Sequence, residues 1–214
     1  MDELQKTFIA FAFKLGGVMI LAGLLGAVLK LLKARVKGKI GEGVLNLALK
    51  LKLDKSRYHL LNDITIPSGD STTQIDHIVV SEFGVFVIES KNYQGWIFGD
   101  AKSKQWTQSL YKKKSRFQNP LHQNYGHIKA LEAITGLPEE GFHTIVSFSV
   151  DSTFKTDMPE TVMKENEVAS YIKSFTNPII DPDDLPSIID AIESSALAKG
   201  WKTDRQHVNN LKAK

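Results

Sequence analysis

The 214-residue chain is 42% hydrophobic and 24% charged, the balance of a folded protein with room for one sizeable core. It contains no cysteine, which excludes disulfides, thiolate metal sites and a cysteine nucleophile. A formal net charge of +3 does not by itself demand a nucleic-acid partner, so where the lysines sit matters more than how many there are.

The first predicted element is apolar. Thr7 to Leu32, "TFIAFAFKLGGVMILAGLLGAVLKLL", carries only Lys14 and Lys30 as charges. A membrane-spanning helix needs about 20 mostly apolar residues, and both lysines can snorkel toward headgroups. Lys30, Lys33, Arg35, Lys37 and Lys39 lie at or beyond its end, whereas Lys6 alone precedes it. The positive-inside rule then predicts a single-pass anchor in the cell membrane, in contact with lipid through residues 7–32, with the C-terminal domain in the cytoplasm. A cleaved leader is the rival reading; against it, the basic cluster follows the apolar run and no clear A-x-A site appears. The organisation expected is an anchor with its basic flank over residues 1–36, a domain over 37–200 and a polar tail over 201–214.

Gly38 to Leu53 reads as a helix with Ile40, Val44, Leu47 and Leu51 as its apolar stripe, and Glu42 off that stripe beside Leu45 and Leu49. "YHLLNDITI" (58–66) reads as a strand, Ser68 to Thr73 as a turn, and residues 74–80 and 85–91 as two strands of a hairpin around "SEFG". "WIFGD" opens a short strand, and the lysine-rich stretch 102–117 reads as a loop. Asn119-Pro120 is a helix start, asparagine as N-cap and proline at N1, for a helix reaching Thr135. Phe142 to Val150 is a further core strand, followed by two helices in "NEVASYIKSF" and "LPSIIDAIESSALA". Trp96 and Trp106 are assigned to the core. The fold class is therefore α/β, a mixed sheet flanked by helices and preceded by one transmembrane helix.

The chemistry concentrates in "VFVIESK", where Val85, Val87, Glu89 and Lys91 alternate onto one face. If Ser81 and Gly84 flank a two-residue turn, Val80 opposes Val85 and Asp76 opposes Glu89. Directly opposed side chains lie about 4.5–5.5 Å apart at Cβ, and like charges there repel. A hard divalent cation would neutralise two such carboxylates, and Mg²⁺ commonly takes one or two carboxylates plus waters and phosphate oxygens. An ammonium beside it, Lys91, suits a phosphate-directed site. The plainer alternative is a solvated strand end on which Lys91 pairs with an acid. His77 alternates away from Asp76 and reads as structural, and His122 and His127 do not share a helical face closely enough for a zinc pair. The aromatic-flanked basic run "YKKKSRF" offers Lys112, Lys113, Lys114 and Arg116 to a nucleic-acid backbone.

In order along the chain, "GKIGEGVLNLALKL", "YHLLNDITIP", "TQIDHIVVSEFGVFVIESKNYQGWIFGD", "QW" and "NPLHQN" resemble the landmarks of the nuclease-related domain (NERD) family of the PD-(D/E)XK nuclease superfamily. The resemblance covers about Lys37 to Thr135 and implies a restriction-endonuclease-like core. It also implies that Asp76, Glu89 and Glu42 hold Mg²⁺ or Mn²⁺, that Lys91 is the catalytic lysine and that Gln123 is a polar group of the site. Ser90 stands where threonine is usual. The expected function is a membrane-anchored, metal-dependent nuclease acting on nucleic acid, DNA favoured over RNA; the alternative is a tethered nucleic-acid- or protein-binding adaptor of the same fold.

Overall fold

The computed structural model describes residues 43–197; the apolar run 7–32, Glu42 and the tail from 201 lie outside the described residues. In chain order come α1 (residues 43–52), β1 (His59–Ser68), β2 (Ser71–Ser81), β3 (Gly84–Lys91), β4 (Gly95–Phe98), β5 (Gln105–Leu110) and β6 (Lys113–Gln118). Then follow α2 (Pro120–Thr135), β7 (Phe142–Phe148), β8 (Ser152–Phe154), β9 (Val162–Lys164), α3 (Val168–Ser174) and α4 (Leu185–Ser195). Among the described residues no helix is long and apolar enough to cross a membrane.

The α/β class is as expected, but the strands form two mixed sheets rather than one. The larger has the order β1-β2-β3-β7-β9 and the smaller β6-β5-β4-β8. In the larger sheet β1, β2 and β3 are antiparallel neighbours, while β3–β7 and β7–β9 are parallel. The hairpin register is the expected one, with Ser81 opposite Gly84 and Val80 opposite Val85. Because side chains alternate across a strand, Val85 and Val87 face one way, with Ile128, Leu131, Ile188 and Ile192 of α2 and α4. Phe86 and Ile88 face the other way, with Leu45 and Leu49 of α1 and Val168 and Ile172 of α3. Helices thus cover both faces of the sheet.

Three expectations fail for physical reasons. The core stripe of α1 is Leu45, Leu49 and then Leu53, while Val44, Leu47 and Leu51 are exposed; the helix is apolar on two sides, and periodicity cannot choose between them. Residues 102–117 are not a loop but contain the β5–β6 hairpin, whose lysines stand on an exposed edge strand, where no apolar alternation is needed. Trp106 is fully buried, but Trp96 is largely exposed.

Helix α2 carries much of the site and is fastened at both ends and along its length. The Asn119 side chain accepts a hydrogen bond from the Leu121 amide (3.0 Å), with Pro120 at N1, and Gly136 closes the helix in the left-handed conformation at φ 73°. The Asn119 amide nitrogen also donates to the carbonyls of Asp100, Ala101 and Ser103. Farther along, Asn124 donates to the carbonyl of Val87 (2.8 Å) and to Thr144 Oγ1 (2.6 Å), fastening α2 onto β3 and β7.

Candidate active site

The β2–β3 ladder pairs as far as His77 with Ile88, while β3 runs on beside β7, pairing Glu89 with Val146 and Lys91 with Phe148. The two strands therefore part at the point where the charges begin. The β1–β2 ladder also breaks here, stepping from Asn62–His77 to Ile64–Ile75 over Asp63 and Asp76. Asp63 has φ 55°, a left-handed conformation that costs a non-glycine residue about 1–3 kcal/mol. Beyond the break the alternation of β2 shifts: Ile78 and Ile75, of opposite parity, both join the cluster under α2, and Thr73 reaches His127 of that helix.

The Asp76–Glu89 opposition expected from an unbroken hairpin is thus one step beyond the ladder's end. The repulsion it implied is relieved locally. Asp76 Oδ2 accepts a hydrogen bond from the Ser90 amide at 2.7 Å, so the half-buried aspartate closes the ladder with its side chain. Glu89, its side chain only 4% exposed, is held by two donors. Lys91 Nζ lies 2.6 Å from Oε1, and His127 Nε2 lies 3.0 Å from Oε2. His127 Nδ1 is 2.8 Å from Thr73 Oγ1. Nε2–H is placed to donate to the carboxylate, and the threonine hydroxyl can either donate to or accept from Nδ1. Lys91 also donates to Gln123 Oε1 at 3.0 Å.

Burial alone would push the Glu89 carboxyl up, but the His127 hydrogen bond and the Lys91 charge outweigh it and hold the group below the usual glutamate range. Burial likewise pulls Lys91 down, and Glu89 beside it more than offsets this, so the ammonium is held above the usual lysine range. The site is therefore a buried carboxylate–ammonium pair, not a neutral one. The lysine is suited to placing fixed positive charge rather than to accepting a proton near neutral pH.

The structure brings Asp76, Glu89, Lys91 and Gln123 together at the parting of β2 and β3; Glu42 lies outside the described residues. His127 and Thr73 are participants that sequence reasoning missed. The signal for His127 was present: it lies four residues after Gln123 on α2, hence on the same helical face. His77, next to Asp76 on β2, is buried 2.7 Å from Asn62 Oδ1 rather than bonded to the Glu89–Lys91 pair, and burial holds its imidazole down to about 4. Among the described residues no three His, Asp or Glu side chains form a ready metal cage. Two acceptor-only carboxylates nonetheless fit a hard cation that completes its shell with water and phosphate oxygen. Lys112, Lys113, Lys114 and Arg116 are exposed on the β5–β6 hairpin.

The nuclease-related domain family matches residues 37–149, more than half of the chain. The chain belongs to this family. It is also 39% identical over 175 residues to an uncharacterised protein of Bacillus anthracis, covering 78% of this chain and 81% of that relative. No solved structure matches.

Proposed function

We propose that this nuclease-related domain is a divalent-metal-dependent phosphodiesterase acting on nucleic acid, tethered to the cytoplasmic side of a membrane by residues 7–32. The observation that carries the reading is the buried Glu89–Lys91 pair, held by Gln123 and His127 beside Asp76. A fold seldom buries an ion pair for stability alone, because desolvation of both charges offsets most of their attraction.

Asp76 and Glu89 would hold Mg²⁺ or Mn²⁺, with Glu42 as a third acid. The ion would polarise a phosphate oxygen and make a bound water more acidic. Lys91, positively charged and fixed by Gln123, stabilises negative charge developing on the phosphate. His127, set by Thr73, keeps the Glu89 carboxylate in one orientation. Lys112, Lys113, Lys114 and Arg116 hold the backbone of the nucleic acid, DNA in preference to RNA.

The adaptor reading has one observation in its favour, that both Glu89 oxygens already have protein partners. The two readings separate on cleavage of a mixed panel of labelled DNA and RNA by the full chain in detergent, with Mg²⁺, with Mn²⁺ and with chelator. Cleavage that requires the cation supports the enzyme. Binding without turnover on every substrate supports the adaptor.

A further inference from the structure

Leu110 pairs with Lys113 across the β5–β6 hairpin, which leaves Tyr111 and Lys112 as the two central turn residues. A two-residue hairpin loop favours Asn-Gly or a similar pair, since it needs positive φ. Tyr111 has φ 53° and is 96% exposed. An aromatic ring in the left-handed region gains nothing for folding when it stands in water, and such outliers collect at functional positions.

A second aromatic is nearby. Trp96 of β4 is 53% exposed and pairs with Ser109, which pairs in turn with Lys114. Trp96, Ser109 and Lys114 therefore form a row across three strands, and Lys155 Nζ sits 4.7 Å from the Trp96 ring centroid. Trp96, Leu110 and Tyr111 line a hollow of about 550 Å³, together with Gln94 and Asp151. Those two polar groups are joined by a 3.0 Å hydrogen bond from Gln94 Nε2 to Asp151 Oδ2. Gly95 (φ 79°) forms part of the lining; a Cβ there would lie 2.6 Å from the Ser109 carbonyl, so β4 approaches β5 more closely than any other residue would allow.

Two accessible rings, an amide–carboxylate pair and flanking lysines match the chemistry of an unstacked nucleobase with its phosphates. Stacking serves any base face, and lysines track the backbone. We propose that this hollow is a nucleobase subsite for single-stranded nucleic acid. The base lies against Trp96 and Tyr111, Gln94 and Asp151 meet its polar edge, and Lys112 and Lys114 hold the adjoining phosphates. Trp96 lies five positions after Lys91, a span of at most about 18 Å of extended chain, so a bound strand need run only a short way to the Glu89–Lys91 pair. The proposal rests on the nucleic-acid reading above but not on cleavage.

The test is binding by the full chain in detergent, with chelator present so that no hydrolysis intervenes. Fluorescein-labelled oligothymidylate and oligouridylate are titrated by anisotropy, beside a DNA duplex of equal length. Trp96→Ala and Tyr111→Gly should each weaken single-strand binding by about 10- to 100-fold, the scale of one lost base stack, and leave duplex binding unchanged. Tyr111→Gly should keep or raise the melting temperature, because glycine accepts the left-handed turn, so its binding loss cannot come from misfolding. Preference between the two oligonucleotides identifies the strand that the subsite takes. Wild-type affinity in either folded variant overturns the proposal, as does wild-type protein that binds duplex as tightly as single strand or binds neither oligonucleotide. Failure of cleavage with these losses intact would remove the phosphodiesterase reading and leave the subsite standing.

Discussion

Replacing Lys91 with methionine keeps the length of the side chain and removes its charge. In the wild type Nζ lies 2.6 Å from Glu89 Oε1, with the lysine side chain 15% exposed and the glutamate 4%. At that burial, loss of one partner strands the other and typically costs about 3–5 kcal/mol. The His127 donor to Oε2 remains, and Glu89 can take up a proton, so the lower end, about 3 kcal/mol, is expected. For a domain of this size that is a fall of about 6–12 °C in melting temperature. Tryptophan fluorescence of the full chain in detergent reads it, since Trp106 is fully buried. Adding Glu89→Gln to the variant removes the stranded charge, so the double variant should melt above the sum of the single losses. Mg²⁺ should raise the melting temperature of Lys91→Met more than that of wild type, because the cation no longer competes with an ammonium for Oε1. A shift in Lys91→Met of less than about 1 kcal/mol, the scale of an exposed pair, would refute the buried-pair geometry.

Asn119→Ala removes the cap of α2 and the donor to three carbonyls, and should cost about 2–4 kcal/mol in thermal unfolding. His127→Leu takes the donor from Glu89 Oε2 and should cost about 2 kcal/mol and reduce the Mg²⁺ response; His127→Gln should restore part of both. His77 is buried neutral, its value held at about 4 against an ordinary 6.5. Its contribution is whole above pH 6.5 and is lost as pH falls toward 4, about 2 kcal/mol by pH 5. The pH–stability profile of His77→Gln should be flatter than wild type over that window; His143, also held down by burial, adds the same sign to both.

The strands and helix that carry the site were legible because their signals are local. Alternating valines around "SEFG" set the β2–β3 register, and Asn119-Pro120 marks the start of α2. What stayed hidden depends on contacts between distant residues. The Glu89–His127 contact joins residues 38 apart in sequence, and spacing within α2 shows only that His127 shares a face with Gln123. The shift of alternation at Asp63 and Asp76 is a backbone event that apolar patterning does not encode. The second sheet was missed because its outer strand, "KKSRFQ", faces water and is written in lysine and arginine. The two-sided helix α1 shows the opposite difficulty: Leu45 and Leu49 are the buried stripe, yet Val44, Leu47 and Leu51 make an equally regular one.

Single-turnover cleavage by the full chain in Mg²⁺, wild type beside Asp76→Asn, is the decisive measurement for a cation held by the Asp76 and Glu89 carboxylates. Asparagine can still accept the Ser90 amide hydrogen bond, so the variant should fold with nearly wild-type stability while losing the charge proposed to hold the cation. Wild type should cleave in a cation-dependent way and the variant should lose activity on the order of 10²–10³, the scale of one removed electrostatic group in a catalytic site. A folded Asp76→Asn protein that cleaves at the wild-type rate would contradict that role.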